Sequence, residues 1–189
     1  GYTDSLNKNE NDQSIKNIIG TSHDDIIIGS NSGSQIETGQ GNDIITITGG
    51  NNKVIAGLGD DLINIEANNA EIYGDAPGFA EGKDTFVINN NFKNITIQDF
   101  EANFDNLVIQ LNDGENIEIL NGLGTSNLKL RKSGTSDNLI NVNTAAGIIT
   151  ATTLAIATTE VMALSDILPA TESFSNGEND ILDLSALSS

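Results

Sequence analysis

The sequence predicts an all-β protein in which a parallel β-roll, residues 15–110, is followed by a β-rich C-terminal cap, residues 111–189, and preceded by an N-terminal extension, residues 1–14. Three observations support this fold class. Large aliphatic residues recur every nine positions, glycine-rich turns that end in aspartate recur every 18, and the composition suits a thin, turn-rich structure. With 19 glycines, no cysteine and 4% aromatic residues, the chain needs many tight turns and cannot build a thick aromatic core.

The nine-residue period defines the strands of the predicted roll. Its aliphatic position is filled without a miss, and the frame resumes after an insertion of five residues. The residues at this position are Ile18, Ile27, Ile36, Ile45, Val54, Ile63 and Ile72, and then Phe86 and Ile95. Because one strand and one turn together take up nine residues, two such units make an 18-residue coil, and equivalent positions stack at roughly the 4.8 Å spacing of neighbouring strands.

Two facing columns of side chains form the predicted core. One column contains Ile27, Ile45, Ile63 and Phe86, and the other contains Ile18, Ile36, Val54, Ile72 and Ile95. Side chains two residues further along a strand point the same way, which extends the core. This adds Ile47, Ile65, Ile88 and Ile97. Parallel strands favour β-branched residues of this kind, and a core of two facing columns needs few aromatic residues.

The turns carry the residues that predict metal binding. Gly39 to Ile45 and Gly57 to Ile63 repeat the same order of glycines, aspartate and aliphatic residues, 18 residues apart. Calcium prefers about six to eight oxygen ligands, glycine lets a turn direct its carbonyl oxygens inward, and aspartate supplies a carboxylate. The candidate calcium ligands are Asp25, Gly39, Gly41, Asp43, Gly57, Gly59, Asp61, Gly82 and Asp84, with Asp99 and Asp105 as candidates for a further site after the repeats.

These turns resemble the RTX, or haemolysin-type, calcium-binding repeats, whose pattern is G-G-x-G-x-D-x-U-x. Gly39 to Ile47 and Gly57 to Ile65 match that pattern closely, and Asp84 to Ile88 is similar to the D-T-F-V-x sequence that closes such arrays. Ile97 to Ile109 resembles the following segment in secreted metalloproteases and in alginate-epimerase R-modules. Asn179 to Leu187 is similar to a further segment of these families, displaced to the end of the chain.

The resemblance implies a function as well as a fold. It implies that Ca²⁺ lies between turns one coil apart, and that the chain is a non-catalytic module of a larger protein. That protein would be secreted by a type I route and would fold on calcium binding outside the cell, as an enzyme, toxin, adhesin or surface-layer protein.

The two edges of the predicted roll differ in their turn residues. Asp25, Asp43 and Asp61 share one edge, and the insertion brings Asp84 onto it. The equivalent positions of the other edge are Lys16, Ser34, Asn52, Ala70 and Lys93. None of these is an anionic ligand, so we expect calcium along one edge only, with Asn and Ser hydrogen bonds holding the other.

Four side chains near the repeats lie outside this set of candidate ligands. Asp24 and Asp60 precede ligand aspartates and are expected to point to solvent. Asp75, in the insertion, is interpreted either as part of a surface loop or as completing the site between the Asp61 and Asp84 turns. His23 replaces a repeat glycine and is expected to be a surface turn residue, which strains that turn or weakens the first site.

Composition excludes several classes of function. A net charge of -19 repels the phosphates of nucleic acid. The absence of cysteine excludes disulfides and thiolate metal sites. No catalytic triad, phosphate loop or transition-metal cluster is found, so an enzyme is not expected. The least charged stretch, 139–159, is too polar for a membrane span. The first residues contain neither Met nor a secretion signal, which suggests an excised part of a longer protein.

The C-terminal region changes to an alternating pattern. Short strands are predicted at 107–111, 117–120, 128–131 and 139–142, with Asn-Gly and Ser-Gly turns between them, as a cap that continues the sheet of the roll. Residues 144–165 are read as a Thr-rich strand pair, and 160–168 as helix or strand.

Two alternative functions depend on surface side chains. Lys129 and Arg131 share one strand face, which is either a site for an anionic polysaccharide, as in alginate-epimerase R-modules, or an ordinary solvated face. An adhesive or ice-binding solenoid would need a regular ladder of threonines. Thr46 and Thr48 lack threonine partners 18 residues on, where Asn64 and Glu66 stand, so this alternative has less support.

Overall fold

The computed structural model describes residues 4–7, 17–29, 33–79, 81–102, 104–112, 114–122, 124–144, 149 and 156–158. These residues contain no helix, so the all-β prediction is confirmed for them, and no helix among them is available to span a membrane. Within the described ranges, thirteen strands form one sheet with parallel and antiparallel pairings. The strands are β1 (Asp4–Asn7), β2 (Asn17–Ile19), β3 (Asp25–Ile28), β4 (Gln35–Gln40), β5 (Ile44–Leu58), β6 (Leu62–Asp75), β7 (Thr85–Ile88), β8 (Lys93–Phe100), β9 (Asn106–Ile109), β10 (Ile117–Asn121), β11 (Asn127–Lys132), β12 (Leu139–Thr144) and β13 (Ile156–Thr158).

The first strand row contains β1, β3, the N-terminal part of β5, the N-terminal part of β6, β7, β9 and β13, all paired in parallel. Ile27 pairs with Ile45, and Ile45 with Ile63, as the 18-residue period predicts. The row continues through Phe86 and Leu107. The side chains from Ile27 to Leu107 in this column are buried, so the first predicted column is confirmed and continues beyond Phe86.

The second strand row contains β2, β4, the C-terminal parts of β5 and β6, β8 and β12 in parallel, followed by antiparallel β11 and β10. Ile18, Ile36, Val54 and Ile72 pair in the predicted order. The next member was predicted to be Ile95 and is Ile97, whereas Ile95 pairs with Ala70. The prediction was wrong because it assumed the same sequence offset across the insertion in both rows. In the second row, the paired residues are two positions further apart in the sequence than in the first row.

The core lies where the buried faces of the two rows meet in a single apolar cluster. Ile47, Ile65, Ile88 and Ile97 are completely buried in it, as predicted. Three phenylalanines, Phe86, Phe92 and Phe100, fill the part of the core beyond the insertion, and the ring centroids of Phe86 and Phe100 are 6.1 Å apart. Burying an aliphatic side chain of this size stabilises the fold by about 1.5–3 kcal/mol, so the two columns carry much of the stability.

The C-terminal strands extend both strand rows: β9 and β13 belong to the first, and β12, β11 and β10 to the second. β9, β10, β11 and β12 lie at the positions that alternation predicts. Ile140 and Val142 of β12 pair in parallel with Ile95 and Ile97 of β8, and β11 and β10 follow through antiparallel pairings. Within the predicted Thr-rich segment, β13 pairs with β9 in parallel. The segment 160–168 and the sequence 179–187 lie outside the described residues.

Candidate metal centre

Turns on one edge of the molecule connect the second strand row to the first, and each ends in an aspartate. Five of these aspartates form the aspartate ladder, which consists of Asp25, Asp43, Asp61, Asp84 and Asp105. All five are at most 5% exposed. The strand register that aligns the aliphatic columns therefore also stacks five carboxyl groups in the interior of one edge. Asp105, predicted only as part of a separate site, is the last member of this ladder.

Backbone-to-carboxylate hydrogen bonds connect each step of the aspartate ladder. The backbone N–H of Asp25 donates to Asp43 Oδ1 at 2.8 Å, and that of Asp43 donates to Asp61 Oδ1 at 2.7 Å. The N–H of Asp61 donates to Asp84 Oδ1 and that of Asp84 to Asp105 Oδ1, each at 3.0 Å. One oxygen of each carboxylate from Asp43 onward is thus fixed by the preceding turn, which orients the side chain.

The second carboxylate oxygens divide the ladder into satisfied ends and an unsatisfied middle. Asp25 Oδ2 accepts the N–H of Thr21 at 2.6 Å, and Asp105 Oδ2 accepts the N–H of Glu101 at 2.7 Å. The Oδ2 atoms of Asp43 and Asp61 are buried and accept no hydrogen bond.

The difference between the ends and the middle follows from the turn sequence. At both ends, the residue four positions before the aspartate donates its N–H to the second oxygen. The corresponding residues of the middle turns are Gly39 and Gly57, with φ of 115° and 123°. This left-handed backbone accompanies the two unsatisfied oxygens. The repeat glycine and the free carboxylate oxygen thus occur in the same turns.

Glycine is also required by the close stacking of the middle turns. A Cβ at Gly57 would overlap the carbonyl oxygen of Gly39, and a Cβ at Gly59 would overlap that of Gly41. Gly82 stands in the same relation to Gly59. Carbonyl oxygens of one turn therefore lie directly against the backbone of the next, near the aspartate ladder.

Burial makes the charged form of the ladder unfavourable. It raises the pKa of Asp61 to about 7, and the charge of Asp43 adds to the effect. Burial also raises the pKa of Asp84 to about 8 and that of Asp105 to about 7. Burial raises the pKa of Asp43 too, although the hydrogen bond from the Asp25 N–H opposes this shift. The nearby Thr38 hydroxyl donates its hydrogen bond to the Ala56 carbonyl oxygen.

No positive side chain compensates the ladder among the described residues. The ion pairs formed there are Lys93–Asp137, Arg131–Glu118 and Lys132–Glu115, all outside the aspartate turns. The buried carboxyl groups must therefore either keep protons near neutral pH or be neutralised by a cation.

A second ladder of side chains runs along the exposed side of the same turns, and it was not predicted. Asp24 Oδ1 accepts the N–H of Asn42 at 2.8 Å, and Asn42 Oδ1 accepts the N–H of Asp60 at 2.9 Å. Asp60 Oδ1 then accepts the N–H of Lys83 at 2.8 Å. Asp24 and Asp60 are solvent-exposed, as expected, but they also connect turns. These bonds run in the opposite direction to those of the aspartate ladder, so neighbouring turns hold each other reciprocally.

Asp99 lies apart from the aspartate ladder. Its Oδ1 accepts the N–H of Gly74 at 2.9 Å and its Oδ2 that of Asp75 at 3.1 Å, while burial raises its pKa to about 6. Asp75 itself is only 3% exposed, and its Oδ1 accepts the N–H of Glu81 at 2.8 Å. Asp75 is therefore a buried residue that organises the insertion, and the surface-loop interpretation is wrong. Both oxygens of Asp99 are already used to hold the start of this insertion.

The first turn of the ladder differs from the middle turns in its backbone. Thr21 and His23 stand where the next turns have Gly39 and Gly41, and neither has a positive φ. His23 is exposed, as predicted. The backbone of this turn accommodates the histidine, and the Thr21 hydroxyl lies 3.3 Å from Asp25 Oδ1.

The opposite edge is built from asparagine. Asn51, Asn69 and Asn94 adopt left-handed φ angles of 58°, 58° and 46°. The buried Asn52 accepts the N–H of Ser34 at 2.9 Å through Oδ1 and donates from Nδ2 to the Thr48 carbonyl at 3.1 Å. Asn69 Oδ1 accepts from Asn94 Nδ2 at 2.9 Å. Lys93, predicted to follow Ala70 on this edge, pairs instead with Asn68 because of the changed register.

The predicted glycan-binding residues lie on β11. Arg131 directs both Nε and Nη2 to Glu118 Oε2, at 3.1 and 2.5 Å. The charge of Arg131 is therefore neutralised by Glu118 on the neighbouring strand β10. Lys129 forms no ion pair within the described part of the chain, so the expectation of an anionic-polysaccharide surface depends on Lys129.

Comparison with protein-family models, with curated proteins and with solved structures gives no match for this chain. Within the described ranges, no group of three or more acidic or histidine side chains has an arrangement that would hold a metal ion by itself. Any metal site on this edge would therefore have to use backbone oxygens together with pairs of aspartates from neighbouring turns.

Proposed function

We propose that this chain is a calcium-binding module, similar to the RTX repeats, that serves a larger secreted protein and has no catalytic role. The proposal includes the fold: the two strand rows are successive halves of the coils of a parallel β-roll. Three facts support the roll. Both rows keep an 18-residue register over consecutive strands, their columns are buried in one cluster, and β5 and β6 each take part in both rows.

The observation that carries the proposal is the pair of unsatisfied Oδ2 atoms of Asp43 and Asp61. A buried carboxylate oxygen without a hydrogen bond is costly, and two charged neighbours raise that cost. A cation between the two turns would remove both penalties. Only oxygen donors are present there, namely the carboxylates and the backbone carbonyl groups of glycine turns, and this donor set suits Ca²⁺ rather than a softer metal.

The residues that would hold calcium follow from the same geometry. Asp43 and Asp61 would supply carboxylate oxygens, and the carbonyl groups of Gly39, Gly41, Gly57 and Gly59 are the backbone donors of those turns. Bound calcium would supply charge neutralisation and no reaction chemistry. Asp25 and Asp105 already use both oxygens, so they would contribute less.

Calcium binding would be coupled to folding. A chain of net charge -19 repels itself when extended and repels itself more strongly when carboxylates are stacked in register. Because the stacked turns do not exist in the unfolded chain, the free energy of calcium binding adds to the free energy of folding. The chain would stay unfolded where calcium is scarce and would fold outside the cell.

The test is far-UV circular dichroism at pH 8 in excess EDTA, in millimolar magnesium and in millimolar calcium, with isothermal titration calorimetry of the calcium step. We expect β signal in calcium only, and dissociation constants of about 10⁻⁴–10⁻³ M. A β signal that is unchanged in EDTA, with no calcium heat, would refute the proposal.

A further inference from the structure

A groove lies on the outward-facing side of the first strand row, away from the aspartate turns. Its volume is about 240 Å³. It is lined by Thr46, Asn64, Ile65, Glu66, Val87, Asn89 and Gln110. Thr46, Asn64 and Val87 are paired in one line across β5, β6 and β7, so the groove crosses several strands of a rigid sheet.

The polar groups of this groove are largely available to a ligand. Glu66 is exposed, and neither Glu66 nor Gln110 has a side-chain partner among the described residues. Asn64 Nδ2 and Thr46 Oγ1 are 3.4 Å apart, and Asn89 Oδ1 is 3.3 Å from the Asn91 nitrogen, so both contacts are weak. Carboxamides offer donors and acceptors from one planar group, and a hydroxyl does the same.

We propose that this groove binds one sugar ring of a neutral polysaccharide. Sugar hydroxyl groups both donate and accept hydrogen bonds, and three carboxamides, a hydroxyl and a carboxylate match that requirement. Val87 provides an apolar surface for the C–H groups of a ring. The groove is smaller than the roughly 300–1,000 Å³ of pockets for drug-sized molecules, which suits a single ring.

Other ligand classes fit the same groove less well. An anionic sugar would meet Glu66 and no lysine or arginine, in a chain of net charge -19. A calcium ion would find one carboxylate, which leaves a divalent charge uncompensated, and it would make no use of the amide donors. The site is thus distinct from the calcium ligands, and it differs from the expected anionic-polysaccharide surface at Lys129.

The experiment is affinity gel electrophoresis in millimolar calcium, with dextran, yeast mannan, laminarin or alginate cast in the gel. We compare the unaltered chain with Gln110→Ala, which removes a groove amide, and with Gln35→Ala, a matched control on the other strand row. Gln35 is exposed, and its amide donates to Glu37 Oε1 at 3.3 Å. Circular dichroism of the same samples with and without calcium tests the calcium proposal separately.

We expect at least one neutral polysaccharide to retard the chain while alginate does not. Loss of one hydrogen bond should weaken the apparent affinity of Gln110→Ala about fivefold and leave Gln35→Ala unchanged. The proposal is overturned if none of the three neutral polysaccharides retards the folded chain. It is also overturned if alginate alone does so, or if both variants behave like the unaltered chain.

Discussion

The aspartate edge and the asparagine edge share the same strands and differ in one functional group per turn. On the asparagine edge, Asn52 uses its amide as acceptor and donor at once, so both polar atoms of that side chain form a hydrogen bond. On the aspartate edge, the carboxylate accepts the same kind of backbone bond, but its second oxygen has no donor in the middle turns. A neutral amide completes a turn by itself, whereas a buried carboxylate must be neutralised by a proton or by a cation.

The largest expected effect on this comparison is that of pH in the absence of calcium. The folded-state pKa values of Asp61, Asp84 and Asp105 are about 7, 8 and 7, above the unfolded value of about 3.9. The folded ladder therefore binds more protons than the unfolded chain between these limits, and stability in EDTA falls as pH rises through the window. Below about pH 4 this contribution is fully present.

We expect the β signal in EDTA to be stronger at about pH 5 than at about pH 8, with calcium restoring it at the higher value. Because calcium bound at the ladder would replace protons, calorimetry near neutral pH in buffers of different ionisation enthalpy should detect proton release. An EDTA melting temperature that rises with pH over this range would contradict the assignment of the buried carboxyl groups.

The next effect concerns the close stacking of the aspartate turns. Gly57→Ala places a Cβ in a left-handed backbone and against the Gly39 carbonyl, so we expect a loss of more than about 3 kcal/mol in calcium. Gly78 is the matched control, because its φ is 90° and a Cβ there contacts nothing. Gly78→Ala should cost only about 1–2 kcal/mol. Denaturant unfolding measures both, and equal losses would show that stacking is unimportant.

A carboxylate introduced on the asparagine edge should destabilise the fold without creating a calcium site. Asn52→Asp removes the donor to the Thr48 carbonyl and buries a carboxylate, with Ser34 and Ala70 in the neighbouring turns, so we expect a loss of about 1–3 kcal/mol and no additional calcium. In the control, Asn42→Asp, the exposed side chain keeps an oxygen to accept the Asp60 N–H, and stability should hardly change. An extra calcium ion bound by Asn52→Asp would show that one carboxylate per edge is sufficient.

The smallest and most specific effect separates the middle of the ladder from its end. Asp43→Asn should weaken calcium binding about tenfold, because Asp43 Oδ2 is one of the two unsatisfied oxygens. Asp25→Asn should weaken binding only about twofold, since Thr21 already satisfies Asp25 Oδ2. Calorimetric titration of the two variants checks this order, and a greater loss for Asp25→Asn would place the ion at the first turn instead.

Much of this arrangement could be predicted from periodicity alone. The 18-residue repeat is sufficient to stack Ile27, Ile45 and Ile63, and the same count stacks Asp25, Asp43 and Asp61. A repeat of this kind transfers directly from sequence to space because parallel strands in register keep their offset.

The sequence could not specify what happens where the period ends. The offset after the insertion differs between the two rows, so Ile97 rather than Ile95 follows Ile72. Asp105 follows Asp84 in the ladder by 21 residues, which is not the repeat length. Asp4 of β1 pairs with Asp25 although its segment contains no repeat motif. Beyond the insertion the core contains the contact between Phe86 and Phe100, which the repeat does not specify. The hydrogen bonds of the exposed ladder, which run opposite to those of the aspartate ladder, could not be predicted either. Aspartate and asparagine alternate at those positions, so no single residue type repeats.

The reciprocal hydrogen bonds between turns affect how the protein unfolds locally and how it tolerates the gain or loss of a repeat. The amide of Asp43 is covered by the carboxylate of Asp61, and the amide of Asp61 by that of Asp84, so neither is released until its neighbour leaves. The amide of Asp105 instead donates to the Glu101 carbonyl oxygen in its own turn. Amide hydrogen exchange should therefore be slowest in the middle turns and fastest at the two ends, as in a one-dimensional polymer of identical links. In such an array, gain or loss of one whole 18-residue repeat should alter stability by one increment and leave the remaining bonds between turns intact.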